Sequence, residues 1–255
     1  MLNVTVTILA GGEGKRMNSN IPKILYPFCG VPMLVRIIHE VICLNPVKII
    51  IVTGKHHDLI QTTVHDHLQH IFFSKNESLK SRIYFVQQKQ ALGTGDALKT
   101  TLRMYTNIEN VLILNADMPL ISHSLLNLFV TGFETKIMIA ELENPHGYGR
   151  IIFGENNMNL VKIKEQKDCN EPETQIKWCN TGIYYIPSHV LKTYIPNIEN
   201  MNAQQEYYLT DMFDLMIQDN IPVDTFVVRP EFHYQIKGVN TLQELEQLEQ
   251  FVKKE

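Results

Sequence analysis

Residues 4–16, VTVTILAGGEGKR, join an apolar segment of strand length to a loop with three glycines and two cations. The glycines let the backbone approach a ligand closely, and their N–H groups can point at phosphate oxygens. Together with Lys23, this stretch places three cations within nine positions. Its spacing fits neither G-x-x-x-x-G-K-[ST] nor G-x-G-x-x-[GA], the two commonest phosphate loops. The stretch therefore predicts a strand followed either by a phosphate-binding loop or by a glycine-rich turn with solvated cations.

Strand-like and helix-like segments alternate through the first half of the chain. Such alternation, with helices of ten to fifteen residues, is typical of a mostly parallel sheet with right-handed crossovers. We therefore predict an α/β fold, a Rossmann-like sheet flanked by helices. The predicted strands after the first are Val47–Val52, Arg82–Val86 and Val111–Leu114, and the predicted helices are Pro32–Leu44, His56–His70, Gly95–Tyr105 and Ser122–Val130.

The rhythm changes after Gly132 to short strands separated by turn residues. We predict a β-rich segment that covers one edge of the first unit, within a single domain spanning 1–255. The final helix carries a Thr-x-x-Glu capping box at Thr241 and Glu244. The predicted strands are Lys136–Leu142, Gly149–Phe153, Leu160–Lys164, Gly182–Ile186 and Pro222–Val228, and the predicted helices are Ala203–Ile217 and Leu242–Lys253.

The composition excludes several classes of protein. Hydrophobic residues make up 44 % of the 255 residues, and 23 basic against 27 acidic residues give a net charge of −4. These values exclude a disordered or collagen-like chain and argue against a general nucleic-acid binder, which carries a basic face. The apolar runs are of strand length, so we expect no membrane span. The four cysteines form no CxxC pair, and we expect reduced thiols in a cytoplasmic compartment.

An acidic residue follows the strand-like segment Val111–Leu114. In an open α/β sheet, ligands bind beyond the carboxyl ends of the strands, where both the glycine loop and Asp117 are expected. Mg²⁺ takes one or two carboxylates together with phosphate oxygens, so Asp117 is a candidate Mg²⁺ ligand. The alternative is that Asp117 only caps the turn before Met118-Pro119.

Eight further motifs narrow the interpretation. Together with the glycine loop they resemble, over Val4–Glu249, the uridyltransferase domain of the bacterial bifunctional N-acetylglucosamine-1-phosphate uridyltransferase/acetyltransferase, a sugar-1-phosphate nucleotidyltransferase. The motifs occur in that family's order. They are Gln88 with Leu92-Gly93-Thr94-Gly95, Asp117–Ile121, Gly147–Ile151, Glu165–Asp168, Asn180–Ile183, Asn202–Gln204, Glu206–Asp211 and Gly238–Asn240.

This resemblance implies a reaction and a fold. UTP and N-acetylglucosamine 1-phosphate would give UDP-N-acetylglucosamine and pyrophosphate, with Mg²⁺ as cofactor, on a fold of the nucleotide-diphospho-sugar transferase type. Residues 1–131 would bind the nucleotide, and residues 132–255 would bind the sugar and supply the C-terminal helix. Two alternatives stay open: another sugar 1-phosphate or nucleoside triphosphate, or a catalytically silent module that binds a nucleotide sugar for regulation.

The resemblance also implies a role for each matched residue. Backbone contacts to the nucleotide would come from Leu9, Ala10, Gly11 and Gly12, and catalytic neutralisation of the triphosphate from Arg16 and Lys23. Uracil would be recognised by Gln88, Gly93 and Thr94, and Mg²⁺ would be bound by Asp117 and Asn240. Contacts to the sugar would come from Gly149, Glu165 and Asn180. Asn240 is also expected to touch the substrate. Taken singly, each polar side chain has a plainer interpretation as a solvated or turn residue.

The chain departs from the family pattern in two ways that bear on function. Lys15 stands where the family usually has Thr, which adds a cation beside the phosphates. The hexapeptide repeats that carry acetyl transfer and trimerisation are not seen, so we expect uridylyl transfer only, by a monomer or homodimer. A histidine cluster between His56 and His70 could suggest zinc, but a polar helix face is the preferred interpretation because no closed ligand set accompanies it.

Overall fold

The computed structural model describes residues 3–12, 14, 17, 21–69, 77–132, 134–154 and 159–253. The strands within them are β1 (Val4–Ala10), β2 (Pro27–Phe28), β3 (Val31–Pro32), β4 (Lys48–Thr53), β5 (Ile83–Gln87), β6 (Asn110–Asn115), β7 (Lys136–Glu141), β8 (Gly149–Phe153), β9 (Leu160–Lys164), β10 (Trp178–Pro187) and β11 (Asp224–Val227). Nine of these described strands form one mixed sheet in the order β11-β7-β10-β6-β1-β4-β5, with β8 paired to β10 and β9 paired to β8, and β2 pairs with β3. The helices are α1 (Met33–Cys43), α2 (His57–Leu68), α3 (Glu77–Lys80), α4 (Thr94–Lys99), α5 (His123–Phe129), α6 (Glu171–Thr174), α7 (Ser188–Tyr194), α8 (Asp211–Gln218) and α9 (Leu242–Val252).

Strand β1 lies at the centre of a parallel group, β6-β1-β4-β5. Its Ile8 is fully buried and pairs in register with Ile51 of β4 and Leu114 of β6. Nearly continuous burial along a strand is typical of a parallel sheet that is covered on both faces. The parallel group places the carboxyl ends of its four strands along one edge, where the predicted loop and acidic residue lie.

Helices cover both faces of this sheet. The apolar residues of α1, α2 and α5 pack in one core cluster, and those of α4, α7 and α8 pack in a second cluster on the other side. The α/β fold predicted from the alternation of segments is confirmed. None of the helices among the described residues is long and apolar enough to cross a membrane.

The β-rich second half covers the β6 edge by continuing the same sheet. Strand β10 runs antiparallel to β6 and to β7, and β11 runs parallel to β7. A register shift between Asn180 and Ile183, with Gly182 at φ +77°, bends β10 so that its first residues also pair with β8. The bend therefore connects the β8–β9 hairpin to the main sheet.

Two predicted helices were wrong in extent. The predicted Ala203–Ile217 helix begins only at Asp211 and runs to Gln218, because the backbone of Tyr207 is bonded elsewhere: its N–H donates to Leu92 O (2.8 Å) and its carbonyl accepts from Gly95 N (2.8 Å). The predicted Gly95–Tyr105 helix is a short helix, α4, followed by a 3-10 turn. Helix α7 was not predicted, and the strand predicted at Gly182–Ile186 extends over Trp178–Pro187.

The C-terminal helix α9 has the predicted cap. Thr241 Oγ1 accepts a bond from Glu244 N (3.1 Å), and Glu244 Oε2 accepts from the backbone of Thr241 (3.2 Å) and Asn240 (2.6 Å). Leu245 and Leu248 pack with Phe28 in a third core cluster. The cap and this packing fix the position of Asn240 directly before the helix.

Candidate active site

The carboxyl ends of β1, β4, β5 and β6 form one continuous surface. Leu9 O accepts from Ala116 N (3.1 Å), which joins the end of β1 to the loop after β6. A Cβ on Gly54 would lie 2.6 Å from Gly11 O, so Gly54 must be glycine for the β4 loop to pass this close to the glycine loop. Gly54 was missed by the sequence analysis, although a glycine directly after a buried parallel strand is a usable signal.

The glycine loop is described only in part. Leu9, Ala10, Gly11 and Gly12 continue from β1, and a Cβ on Gly12 would meet no atom of the other described residues within 4 Å. Arg16 and Lys15 lie outside the described residues, and their predicted roles stay predictions.

Gly14 holds the loop against Lys23. It adopts φ +60°, and a Cβ there would lie 2.9 Å from the Lys23 Cβ. A left-handed backbone and this close approach both require glycine. The loop therefore positions the stem of Lys23 as well as its own N–H groups.

The Lys23 ammonium contacts both predicted metal ligands, Asp117 and Asn240. Its Nζ donates to Asp117 Oδ2 (2.6 Å) and to Asn240 Oδ1 (2.9 Å). The side chains of Lys23 and Asp117 are only 13 % and 21 % exposed, so this charge pair is shielded from bulk water. Asp117 O also accepts from Val239 N (2.9 Å), which brings the 238–240 segment to the end of β6. The structure thus brings together three residues that are far apart in the chain.

The same oxygens suit a divalent cation. Because one carboxylate oxygen and one amide oxygen converge on a single ammonium, the space between them has the size and charge for a cation. Both are hard oxygen donors, which Mg²⁺ prefers. No group of three or more His, Cys, Asp or Glu side chains able to hold a metal occurs in the described part of the chain. A cation here would therefore need oxygens from the substrate or from water.

Gln88 and the 93–95 loop lie on the other side of the glycine loop. A Cβ on Gly11 would be 3.4 Å from Gln88 Oε1, so the amide of Gln88 borders the loop. Thr94 Oγ1 accepts from Leu209 N (3.0 Å), and Gly93 has φ +110°. The segment around Tyr207 therefore supports Gly93 and Thr94, two of the three residues predicted to read uracil.

Replacing Gly93 by alanine is expected to lower the melting temperature by several degrees and to weaken nucleotide binding. A Cβ at this position would lie 2.5 Å from Tyr207 O, and the left-handed backbone adds strain of about 1–3 kcal/mol. Thermal unfolding and nucleotide titration measure the two effects. Gly154→Ala is the control, since among the described residues a Cβ there would make only ordinary contacts, with Val161 Cγ2 at 3.4 Å and Asn159 O at 3.9 Å. If Gly93→Ala left the melting temperature unchanged, the close contact with Tyr207 would be contradicted.

Gly149, Glu165 and Asn180, the predicted sugar contacts, come together where β8 meets β10. A Cβ on Gly149 would lie 3.4 Å from Glu165 Oε2 and 3.5 Å from Asn180 Cβ. Asn180 donates from Nδ2 to the Tyr184 hydroxyl (2.7 Å) and accepts from Gly182 N (3.1 Å). Its amide therefore supports the bend of β10 in this structure.

Glu165 is held by Thr210, a residue that the sequence analysis did not single out. Thr210 Oγ1 donates to Glu165 Oε1 (2.9 Å). Burial raises the pKa of Glu165 above its ordinary value, and the bond from Thr210 opposes this rise. Glu165 also lines a cavity of about 450 Å³ with Asp168, Asp211 and Asp214. Five carboxylates and two lysines line this cavity, so it suits hydroxyl or amide groups better than phosphate.

Two further residues near the site were missed. Tyr148 lies close enough to Asp117 to feel its charge, and burial above all raises the pKa of this phenol to about 12. Arg150 is almost fully buried, and its Nη2 donates to Gln166 Oε1 (3.0 Å) and Thr174 O (3.1 Å). Both belong to the Gly147–Ile151 motif, which was the available signal. Arg150 ties the strand that carries Gly149 to the segment after Glu165.

The described histidines of α2 bond within the protein. His57 Nδ1 shares a bond with Thr53 Oγ1 (2.6 Å), and His67 Nδ1 donates to Thr63 O (2.9 Å). His70 lies outside the described residues.

The comparisons with known proteins agree on one family. Residues 6–172 match the MobA-like NTP transferase domain. A probable UDP-N-acetylglucosamine pyrophosphorylase of Acanthamoeba polyphaga mimivirus is 42 % identical over 96 % of this chain and 94 % of its own length. The bifunctional protein GlmU of Francisella philomiragia is 38 % identical over 97 % of this chain, which spans only 51 % of that protein. The solved structure of a UDP-glucose pyrophosphorylase with UDP-glucose covers the whole chain at 18 % identity, with a TM-score of 0.73, and shows the same fold.

Proposed function

Because this chain belongs to the MobA-like NTP transferase domain family and is a nucleotidyltransferase, we propose that it transfers a uridylyl group from UTP to N-acetylglucosamine 1-phosphate. The products would be UDP-N-acetylglucosamine and pyrophosphate. The observation that carries the proposal is the contact of the Lys23 ammonium with Asp117 and Asn240 beside the glycine loop. That arrangement provides fixed positive charge and two hard oxygens at one point.

The chemistry of the proposed reaction requires little proton transfer. A phosphate monoester has a second pKa near 6, so the sugar phosphate is already a competent nucleophile at neutral pH. The difficulty is to bring two polyanions together and to stabilise charge on the α-phosphate and the departing pyrophosphate. Positioning and preorganised positive charge perform most of this work in phosphoryl transfer.

The glycine loop and Lys23 would perform that work here. Main-chain N–H groups of Gly11 and Gly12 would bond the triphosphate, and Arg16 would neutralise part of its charge. Lys23 lies at the junction of the loop and Asp117, with a stem fixed by Gly14. Its ammonium would therefore reach the oxygens on which negative charge accumulates during transfer.

Asp117 and Asn240 would hold a Mg²⁺ ion in the place that the Lys23 ammonium takes in this structure, and the ammonium would then turn to the phosphate oxygens. Bound there together with phosphate oxygens, the ion would neutralise charge on the triphosphate. The residues that fix this pair are in place: Val239 N bonds Asp117 O, and the α9 cap orients Asn240. The N-terminus of α9 also adds a favourable partial positive charge near the phosphates.

The sugar would lie between β8 and β10. Glu165 would accept a bond from a sugar hydroxyl or from the acetamido N–H, and Thr210 fixes the orientation of its carboxylate. Asn180 and the backbone of Gly149 would complete this side. We propose residues 1–131 as the nucleotide part and residues 132–255 as the sugar part, in a monomer or homodimer.

The names of the relatives support this choice of substrate. The mimiviral relative is named a probable UDP-N-acetylglucosamine pyrophosphorylase and matches over nearly its whole length. The chain spans about half the length of the bacterial bifunctional relatives, so the proposal covers uridylyl transfer alone.

The test is pyrophosphate release over a matrix of nucleotides and sugar phosphates, with and without Mg²⁺. UTP, CTP and dTTP are each combined with N-acetylglucosamine 1-phosphate and glucose 1-phosphate. We expect the highest kcat/KM for UTP with N-acetylglucosamine 1-phosphate, and no release without a divalent cation. Equal or better rates with dTTP and glucose 1-phosphate would contradict the substrate. Nucleotide-sugar binding without any turnover would identify a regulatory module instead.

A further inference from the structure

The side-chain amide of Gln88 is held at one end by two acceptors. Its Nε2 donates to Asp96 Oδ2 (2.8 Å) and to Gly93 O (3.1 Å). Gln88 is buried, and Asp96 is half-buried in the first turn of α4. Both partners are close to the strand end on which Gln88 lies, so the amide has little freedom to move.

The chemistry of these partners settles which way the amide points. A carbonyl and an ionised carboxylate can only accept hydrogen bonds. If the amide were flipped, Oε1 would face both of them, two bonds would be lost and a carbonyl oxygen would lie against a carboxylate. Nε2 must therefore be the atom that faces Asp96, and Oε1 the atom that faces the glycine loop.

Oε1 is left to act as an acceptor on the ligand side. No described residue donates to it, and it lies close to Gly11 of the glycine loop. A fixed acceptor at this place favours a base that offers a ring N–H. Uracil offers N3–H, whereas cytosine has a lone pair at N3, so two acceptors would face one another.

We propose that Asp96 is a positioning residue that sets the choice of base: by accepting from Gln88 Nε2, it fixes Oε1 as an acceptor that selects uracil over cytosine. This inference rests on the proposed function, since it assumes that the base of the nucleotide lies against Gln88. It adds a residue to which the sequence analysis gave no role.

Asp96 is the stronger of the two partners that hold the amide. Gly93 O also accepts from Ala97 N (3.1 Å), so it shares its capacity between two donors. A hydrogen bond to a charged group is also worth more than one between neutral groups. Removing the Asp96 carboxylate would leave one shared bond to hold the amide, and the flipped amide could then donate to cytosine N3.

The experiment measures UTP and CTP affinities by equilibrium dialysis with Mg²⁺, which needs no turnover. Asp96→Leu removes the acceptor at similar size. We expect the ratio of UTP to CTP affinity to fall at least tenfold, which corresponds to about 1.4 kcal/mol. Steady-state rates should show the same change in KM for UTP with kcat little altered. Asp96→Asn retains an acceptor oxygen and is expected to keep the ratio within about threefold of the wild-type value, the size of a small perturbation in a retained bond.

The matched control is Asp58→Leu. Asp58 is exposed and lies in the first turn of α2, as Asp96 lies in the first turn of α4. A loss of helix-dipole interaction would affect both variants alike, whereas a change in base preference should occur only at position 96. Thermal unfolding checks each variant, and Asp96→Ala serves if Asp96→Leu does not fold.

The outcomes separate the inference from the proposed function. An unchanged UTP to CTP ratio in a folded Asp96→Leu or Asp96→Ala variant would overturn the inference while the activity stood. The inference would also be overturned if Asp96→Asn lowered the UTP to CTP ratio as much as Asp96→Leu does, because the hydrogen bond would then not be the cause of the base preference. Wild-type preference for UTP without product from any sugar phosphate would overturn the proposed function alone.

Discussion

Replacing Lys23 by alanine is expected to lower kcat about 100- to 1,000-fold, the loss typical of removing one preorganised charge from a reaction centre. The Lys23 side chain is only 13 % exposed and its ammonium lies 2.6 Å from Asp117 Oδ2, so water cannot replace it at equal strength. The effect should fall on kcat more than on KM for UTP if the charge stabilises the transition state more than the ground state. Steady-state pyrophosphate release at saturating Mg²⁺ measures it.

The control for this variant is Lys177→Ala. Lys177 also pairs with a carboxylate, Glu143, at 2.7 Å, but both side chains are exposed, at 46 % and 92 %. An exposed pair of this kind contributes little, so kcat should stay near the wild-type value. If Lys23→Ala unfolded at the wild-type temperature and kept the wild-type kcat, Lys23 would have no part in the mechanism.

Replacing Asp117 by asparagine is expected to abolish the response of the rate to Mg²⁺ and to lower kcat by roughly 100- to 1,000-fold. The substitution keeps the size of the side chain but removes the negative charge that would hold a divalent cation. A loss of about 3–4 kcal/mol of transition-state stabilisation corresponds to this range. The measurement is the rate as a function of Mg²⁺ concentration.

Glu143→Gln provides the comparison for Asp117→Asn, since it neutralises the carboxylate of the exposed pair. Its Mg²⁺ response should match that of the wild type. If the Asp117 variant kept the wild-type Mg²⁺ dependence, the cation would have to bind elsewhere, and the assignment of Asp117 and Asn240 would be wrong.

The part of the site that depends on local sequence could be predicted. The glycine loop follows an apolar strand, Asp117 follows another, and parallel strands bring their carboxyl ends to one edge. The Thr241 and Glu244 cap also has a local signature, which is why the start of α9 was predicted to the residue. Each of these features needs only neighbouring residues or a rule of sheet topology.

The contacts that join distant segments could not be predicted in the same way. Lys23 is 94 residues from Asp117 and 217 from Asn240, and no local pattern states that one ammonium meets both. The orientation of Gln88 depends in the same way on Asp96, on the far side of a loop. The resemblance to a family supplied the residues, whereas the structure supplies their contacts.

The predicted helix at Ala203–Ile217 shows how a tertiary contact overrides local spacing. Its apolar residues recur at helical intervals, yet Tyr207 pairs through its backbone with Leu92 and Gly95. These bonds satisfy the groups that a helix would have used, so the helix begins only at Asp211. The same pairing supports the loop that carries Gly93 and Thr94.

In the proposed mechanism, main-chain amides, fixed cations and a divalent ion at one strand edge let two mutually repelling anions meet. Its most direct test is a crystal structure with UDP-N-acetylglucosamine and Mn²⁺, whose anomalous signal locates the metal. We expect a diphosphate between the glycine loop and Lys23, with the Mn²⁺ signal at Asp117 and Asn240. A diphosphate bound away from Lys23 and Asp117, with the metal elsewhere, would contradict it.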